Sequence, residues 1–324
     1  MIYQLLRWIN GIALHWFYRD ISIRGVENIP VDAPLLIACN HQNALVDSLI
    51  VAWVVPRRIT MTAKATLVKN PLIALLFRIL GVVPLRRVSD EVRKSDGSPI
   101  NRSRNAEAFR EILDLLEHRG AVLIFPEGKS HNESSLEPLK SGLARLALQA
   151  RGKRSIERVA ILPLGLVFED KGVPGTIAGV HIGKPIEMDS WPTSDHVALT
   201  EEIATRLRAV SEAAALPLHE QSGVGPSKTS LRERLITLAA SWGRLTHQFP
   251  IKLARSIAVQ RSTDADQPAM LTIMFGIGFV LLTYVIHLTI LGMLVHSFWI
   301  GCLYFATLLG GAYWAAFEQH PRRY

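Results

Sequence analysis

The chain has 324 residues, a formal net charge of +8 and a mean hydropathy of +0.21, which together exclude both an ordinary soluble enzyme and a protein that is mostly transmembrane. The basic excess suits an anionic membrane surface or a phosphorylated substrate, because the sequence has neither zinc-finger spacing nor the basic–aromatic alternation of a nucleic-acid binder. Cys39 and Cys302 lie in unlike surroundings, which argues against a disulfide and a cysteine–histidine metal site and favours a reducing, cytosol-facing catalytic domain.

The N-terminal residues predict a helix. Apolar side chains recur at helical spacing between Leu5 and Phe17, interrupted by Arg7, Asn10 and His15. No basic stretch precedes them and no small-residue cleavage site follows, so we do not expect a signal peptide. A helix in the membrane interface and a helix packed on the protein's own core fit this pattern equally well.

Short apolar runs then alternate with helical patterns as far as residue 216. Strands are predicted at 21–26, 34–39, 59–63, 82–85, 121–125 and 159–168, and helices at 44–55, 70–80, 103–118, 139–150 and 197–216. This alternation is typical of α/β proteins, so we predict a mixed, largely parallel sheet flanked by helices. The polar stretch 90–101 is interpreted as a mobile loop.

The C-terminal third differs in composition. A Gly/Ser/Pro linker at 221–227 leads to a helical pattern at 231–259, whose basic side chains either contact anionic lipid heads or form an ordinary solvated face. Residues 269–317 contain no Lys, Arg, Asp or Glu. Because a bilayer core needs about 20 apolar residues per helix, we predict two spans, at 270–291 and 297–317, joined as a hairpin. The alternative is a buried hairpin in a soluble core. Basic residues on both flanks favour the cytosolic side for the chain ends.

The segment from Asn40 to Asp47 places an imidazole and a carboxylate just after a buried strand. Residues six apart on one helix would point in different directions, so we expect His41 in the loop and Asp47 in the first turns of the helix. Asp47 could then accept the Nδ1 proton of His41, which leaves Nε2 as a base. Taken alone, a histidine near an aspartate is more often structural.

Two more segments end predicted strands. Phe-Pro-Glu-Gly at 125–128 follows one strand, at the edge where sites of α/β sheets gather. Glu127 needs a hydrogen-bonding partner there, and Gly128 permits close approach of a ligand to the backbone. Arg86 and Arg87 end another strand, and two arginines can hold a phosphate by paired hydrogen bonds. The alternative in each case is a plain turn.

In combination these segments resemble the PlsC-like phospholipid/glycerol acyltransferase family, over roughly Ile21 to Ile186. The four blocks occur in the family's order at 40–47, 81–87, 125–128 and 161–164. The Lys-Ser-Gly segment at 140–142 also looks like the family's helix start after the third block. The commonest family pattern has four residues between the histidine and the aspartate, whereas this chain has five. The five-residue form is similar to a subgroup related to glycerol-3-phosphate acyltransferases.

The resemblance implies a general-base mechanism. His41 would take the proton of an acceptor hydroxyl while Asp47 orients the ring, and the oxygen would attack a thioester directly. Glu127 and Gly128 would position the acceptor, and Arg86 would hold its phosphate. The full predicted substrate-binding set consists of Asn40, Lys64, Arg86, Arg87, Phe125, Pro126, Glu127 and Gly128. Cys39 adjoins the histidine, but strand alternation predicts that it faces away.

The implied donor is acyl-CoA or acyl-carrier protein, with no further cofactor and no metal. The acceptor is expected to be 1-acylglycerol-3-phosphate or glycerol-3-phosphate, or else another lysolipid. A lipid hydrolase and a non-catalytic lipid-binding protein are the rival hypotheses. We expect membrane lipids but no nucleic acid as partners, leave the oligomeric state open, and expect the inner (cytoplasmic) membrane with the catalytic domain on its cytosolic side.

These patterns divide the chain into four predicted parts. They are an interfacial helix at 1–20, an acyltransferase domain at 21–216, a linker with basic amphipathic helices at 217–262, and a transmembrane hairpin at 263–324.

Overall fold

The computed structural model describes residues 2–65, 81–85, 105–131, 135–192, 194–215, 231–262 and 267–317. The predicted helix at 70–80, the predicted loop at 90–101, the linker at 221–227, Arg86 and Arg87 all lie outside the described residues.

The first described elements are α1 (Ile2–Phe17), β1 (Asp20–Arg24), β2 (Leu35–Cys39), α2 (Ala44–Val54), β3 (Ile59–Lys64) and β4 (Val83–Leu85). The next are α3 (Ala106–Glu117), β5 (Ala121–Ile124), α4 (Gly142–Lys153), β6 (Ala160–Phe168), β7 (Ile177–Ile182), β8 (Ile186–Glu187) and α5 (His196–Ala215). Three long helices follow, α6 (Leu231–Arg261), α7 (Gln267–Val295) and α8 (Phe298–Phe317).

The strands form one sheet in the order β1-β7-β6-β2-β5-β3-β4, with β8 paired to β6. β2 is parallel to both β5 and β6, and β3 is parallel to β5 and β4, whereas β6 pairs antiparallel with β7 and β8. The predicted mixed, largely parallel sheet with flanking helices is therefore confirmed. β7 and β8 were not among the predicted strands, because Gly179 and His181 interrupt the apolar pattern of β7 and β8 has only two residues.

Two local boundaries differ from the prediction for physical reasons. Gly25 has a φ of 80°, which ends β1, so Val26 begins a 3-10 turn instead of continuing the strand. α4 starts at Gly142 and not at residue 139, because the backbone N–H of Lys140 donates to the carbonyl of Pro126. That hydrogen bond holds the segment before α4 against the loop that follows β5.

The central strand β2 is buried on both faces, as expected of a strand in a covered parallel sheet. Leu35 and Ile37 pack on the face covered by α1, α2 and the start of α7, while Leu36 and Ala38 pack on the face covered by α3 and α4. Full burial of a leucine or isoleucine contributes about 1.5–3 kcal/mol. Burial of this strand therefore holds its carboxyl end, which His41 follows, in place.

α7 and α8 are long and apolar enough to cross a membrane, with 29 and 20 residues. They cover the two predicted spans. α6 packs against both of them, and the backbones of α6 and α8 touch where Gly243 faces Gly311. A side chain added at Gly243 would collide with the carbonyl oxygen of Gly311. The indole of Trp16 on α1 donates to the carbonyl of Ala312 at 3.2 Å, which joins these helices to the sheet domain.

α1 itself packs on the protein's own core. Leu14 and Phe17 at its carboxyl end and Tyr18 just after it are buried, while Leu5 and Trp8 nearer its start remain partly exposed. The core-packing alternative thus holds for one part of the helix, and an apolar surface is left on the other.

Candidate active site

The ends of three neighbouring strands supply the site. β2 lies between β5 and β6 and is parallel to both, so their carboxyl ends meet at one edge of the sheet. Asn40 joins β2 to β6, because its side-chain amide donates to the carbonyl of Leu166 at 2.8 Å and accepts the N–H of Leu166 at 2.7 Å. This buried side chain, a predicted substrate-binding residue, is fully occupied with holding the strand ends together.

The imidazole of His41 contacts Asp47 as predicted. Nδ1 lies 2.9 Å from Oδ2 of Asp47, and the two side chains are 10% and 0% exposed. The same carboxylate oxygen accepts the backbone N–H groups of Gln42 at 2.9 Å and Asn43 at 2.8 Å. A carboxylate at Nδ1 keeps the proton of the neutral ring on that nitrogen, so Nε2 is the basic nitrogen.

Asp47 lies in the first turn of α2, where the positive end of the helix dipole favours a carboxylate. The first residue of that helix, Ala44, has a φ of 45°, in the left-handed region that costs an L-residue about 1–2 kcal/mol. Ala44 is one of the five residues between His41 and Asp47, so this segment includes one residue with a left-handed backbone.

Phe125 holds the histidine ring from one side. The two rings are stacked, with centroids 3.9 Å apart and an angle of 14° between their planes. Phe125 directly follows β5, so the strand end sets the plane of the His41 imidazole. Phe125, which was predicted to contact substrate, thus contacts the predicted base, and its substrate contact stays a prediction.

Glu127 is buried and its carboxylate is fully engaged. Oε1 accepts the backbone N–H of His41 at 2.7 Å, and Oε2 accepts the backbone N–H of Glu137 at 2.7 Å and lies 2.5 Å from Nε2 of His131. The predicted need of this carboxyl group for hydrogen-bonding partners is thus met. The next residue, Gly128, has a φ of 81°, which favours glycine.

Several further residues that were not predicted from the sequence complete the site. His131 follows the Phe-Pro-Glu-Gly segment by three positions, and a polar residue so close to a carboxyl group expected to be buried was the one available signal. The ammonium group of Lys171 donates to the carbonyls of Gln42 at 2.8 Å and His131 at 3.2 Å. The sequence could not predict this role of Lys171, because its partners are backbone carbonyl groups, which every residue carries.

Asn43 and Tyr18 form a buried pair behind the dyad. The side-chain amide of Asn43 donates to the Tyr18 hydroxyl at 2.8 Å. Burial, and next the negative charge of Asp47, raise the pKa of Tyr18 well above its ordinary value, so its hydroxyl remains neutral.

Cys39 belongs to the apolar core. Its thiol is fully buried and donates to the carbonyl of Asn40 at 3.3 Å. Burial, and then the charges of Asp47 and Glu127, raise the pKa of Cys39 well above its ordinary value. Since the thiolate is the nucleophilic form, this cysteine is unsuited to nucleophilic catalysis.

The predicted phosphate-binding residues lie only partly within the described residues. Lys64 ends β3 and pairs in register with Leu85, the last residue of β4. Both lie at the same edge of the sheet as His41, because β3 and β4 are parallel to β5. Arg86 follows Leu85 in the sequence, but it lies outside the described residues, as does Arg87.

A histidine oriented by a buried aspartate, with Nε2 as its basic nitrogen, has the geometry of a general base in acyl transfer or hydrolysis. Residues 20–167 match the family model described as Acyltransferase. This match covers 148 of the 324 residues of the chain.

The chain is similar to glycerol-3-phosphate O-acyltransferase 2 of Saccharomyces cerevisiae, at 39% identity over 26% of this chain and 11% of that one. It is 22% identical to glycerol-3-phosphate O-acyltransferase 1 of the same yeast, over 58% and 35% of the two chains. It is 30% identical to human 1-acyl-sn-glycerol-3-phosphate acyltransferase alpha, over 40% and 42%. The chain thus spans less than half the length of each of these relatives.

Proposed function

We propose that this protein is an O-acyltransferase that moves a fatty acyl group from a thioester to a hydroxyl of glycerol-3-phosphate. The observation that carries the proposal is the 2.9 Å contact between Nδ1 of His41 and Asp47, within the residues that match the Acyltransferase family model. The proposed acceptor follows the names of the two yeast relatives and the five-residue spacing between the histidine and the aspartate. The second candidate acceptor is 1-acylglycerol-3-phosphate, on which the human relative acts by its name.

In the proposed reaction, Nε2 of His41 takes the proton of the acceptor hydroxyl as the oxygen bonds to the thioester carbonyl carbon. Asp47 stabilises the imidazolium that forms. The carbon–sulfur bond then breaks, and the imidazolium returns its proton to the departing thiolate of CoA or acyl-carrier protein. No covalent enzyme intermediate, metal or further cofactor is required by this sequence of steps. Lys64, Arg86 and Arg87 are proposed to hold the acceptor phosphate.

The test uses full-length protein in detergent, with acyl-CoA and acyl-carrier-protein donors and both phosphorylated acceptors. We expect His41→Ala to lower the rate at least 10²-fold, the usual contribution of a general base. His118→Ala is the control, because His118 is an exposed residue between α3 and β5, at the opposite edge of the sheet. Full activity of His41→Ala would exclude a catalytic role for the dyad. Release of free fatty acid by the wild-type protein without any acceptor would indicate a hydrolase. A wild-type protein without turnover would favour the lipid-binding hypothesis.

We also propose that α6, α7 and α8 attach the protein to the cytosolic face of the inner membrane. α6 is not apolar enough to count as a span, but it carries a stripe of exposed apolar side chains at helical spacing. The stripe consists of Leu231, Leu235, Leu238, Leu245, Phe249 and Leu253. Arg244 and Lys252 lie exposed beside it, where they can contact anionic lipid heads.

The two natural cysteines test this attachment. Cys302 is exposed on α8, whereas Cys39 is buried. In membrane vesicles, we expect a membrane-impermeant maleimide to leave Cys302 unlabelled, and detergent extraction with a small permeant maleimide to label it. Equal labelling in intact vesicles would place α8 in water and contradict the proposal.

A further inference from the structure

A second imidazole–carboxylate pair lies beside the dyad and is attached to the same histidine. Glu127 contacts His131 Nε2 at 2.5 Å through Oε2, while its Oε1 accepts the backbone N–H of His41 at 2.7 Å. In return, the backbone N–H of His131 donates to the carbonyl of His41 at 3.1 Å. Both main-chain polar groups of His41 are therefore held by the loop that contains Glu127 and His131.

The carboxylate of Glu127 leaves no room for a substrate contact. Its side chain is 0% exposed, and its two oxygens already accept three N–H donors, from His41, His131 and Glu137. Because this carboxylate is enclosed by the protein, an acceptor molecule could reach it only if the surrounding loop moved. The burial of this group agrees better with a role in holding the protein's own loops than with the acceptor-binding role implied by the family resemblance.

We propose that His131 is a positioning residue for His41 and acts through the carboxylate of Glu127. This inference rests on the proposed function, since it assumes that His41 is the base. The hydrogen bond from His131 fixes the rotation of the Glu127 carboxylate, and that carboxylate fixes the backbone of His41. The stacked ring of Phe125 and the carboxylate of Asp47 then fix the imidazole.

The physical basis is the cost of leaving a buried carboxylate short of donors. Removing one donor from a buried charged group costs more than the net worth of the hydrogen bond, because the group keeps its desolvation penalty. Glu127 would then rotate, and its Oε1 would move away from the backbone N–H of His41. A displacement of about 1 Å at the base can lower a catalysed rate by about 10²-fold.

Two amide substitutions separate this role from general stability. His131→Gln places an amide N–H near the position of Nε2 and can still reach Glu127, whereas His131→Asn is one methylene shorter and cannot. We expect His131→Asn to lower kcat at least tenfold with KM for the acceptor within twofold of wild type, and His131→Gln to stay within threefold in both. Equal activity of the two variants would overturn the proposal, as would a rise in KM at unchanged kcat.

His181→Gln is the matched control. The Nδ1 atoms of His181 and His131 are both buried without a hydrogen-bond partner among the described residues, but His181 lies on β7, with Arg24 and Glu27 as its charged neighbours. We expect this variant to keep the kinetics of wild type. A tenfold loss of kcat in it would mean that any buried histidine produces the effect, which would contradict a specific role for His131.

A double-mutant cycle with Glu127→Gln tests the path through the carboxylate. If both residues act through the same group, the combined loss of kcat in Glu127→Gln with His131→Asn will be well below the product of the two single losses. Multiplicative losses would overturn the shared path. A Glu127→Gln variant with raised acceptor KM and normal kcat would restore the acceptor-binding role of Glu127.

Hydrogen exchange separates this inference from the proposed function, because it needs no turnover. We measure amide exchange by mass spectrometry in a peptide spanning residues 40–46, which contains the N–H of His41 bound by Glu127. Exchange at least tenfold faster in His131→Asn than in His131→Gln supports the positioning role even if wild type acylates none of the tested acceptors. Equal exchange in the two variants overturns it, whatever the enzyme assay gives.

Discussion

Replacing Asp47 by asparagine removes one negative charge from the dyad and leaves its shape intact. Oδ2 of Asp47 accepts three N–H donors, from the imidazole of His41 and from the backbones of Gln42 and Asn43. Oδ1 is buried without a hydrogen-bond partner among the described residues. The two backbone donors will therefore hold the amide oxygen of the asparagine in the place of Oδ2 and direct its NH₂ group to the place of Oδ1.

This orientation sets the size of the expected effect. The amide oxygen still accepts the Nδ1 proton, so His41 keeps the tautomer with a basic Nε2. What is lost is the charge that stabilises the imidazolium, and a hydrogen bond to a charged group is worth about 1.5–3 kcal/mol. At about 1.4 kcal/mol per decade, kcat should fall roughly 10- to 200-fold. A substitution that reversed the tautomer would cost more, about 10⁴-fold in the serine-protease triad.

The assay follows acyl transfer from acyl-CoA to radiolabelled glycerol-3-phosphate for wild type, Asp47→Asn, His41→Ala and the control Asp114→Asn. Asp114 is a half-exposed residue of α3 that pairs with Arg154, so its substitution should leave kcat unchanged. We expect Asp47→Asn to be more active than His41→Ala. If the two variants are equally inactive while both remain folded, the backbone donors do not fix the amide, and the reasoning on the tautomer is refuted.

Four further outcomes are expected. Ala44→Gly should change the free energy of unfolding by at most about 1 kcal/mol, because relief of the left-handed φ offsets the backbone entropy that glycine loses on folding. Ala44→Val should destabilise the protein and lower kcat, because a β-branched residue rarely adopts a positive φ. Thermal unfolding measures the first effect and the transfer assay the second. Native Cys39 should resist alkylation at pH 8, because the pKa of its thiol is raised by burial, and equal alkylation of native and unfolded protein would contradict this. The thiol of the unfolded chain ionises at a lower pH than the native thiol. The contribution of Cys39 to stability is therefore full below the pKa of the unfolded thiol and is lost as the pH rises above that pKa. Gly243→Leu should lower the thermal midpoint by forcing α6 away from Gly311, and an unchanged midpoint would mean that the helices do not touch there. Lys64→Met should raise KM for the phosphorylated acceptor and leave KM for the thioester unchanged, and the reverse result would assign Lys64 to the donor.

The parts of the site that the sequence predicts correctly are local in the chain. The contact of His41 with Asp47 follows from a strand end, a short loop and the start of a helix, all within eight residues, so spacing and helix geometry are sufficient to predict it. The buried strands are equally local, because β2 and β5 are continuous apolar runs. Their parallel pairing then brings Glu127 to His41.

The parts of the site that the sequence does not predict depend on contacts with backbone groups that are distant in the chain. Lys171 binds two carbonyl oxygens, and Asn40 binds the backbone of Leu166, and no side-chain pattern identifies such partners. The close contact of Gly243 with Gly311 is likewise invisible in the sequence, since a glycine in a helical pattern gives no indication of its neighbour. The contacts that Asn40 and Phe125 make with the protein itself were not predicted, and their substrate-binding roles stay predictions.

The strand order also relates the base to the candidate phosphate-binding residues. β5 lies between β2 and β3, so the strand ends that carry His41 and Lys64 are separated by two strand spacings, about 10 Å. A glycerol phosphate molecule is shorter than that separation. If its hydroxyl lies at His41, a protein side chain must span the remaining distance to its phosphate. A long side chain such as that of Lys64 can cover it from β3, while Gly128 adds no side chain between the two. The proposed base and the proposed phosphate-binding residues thus lie at the ends of different strands of one sheet.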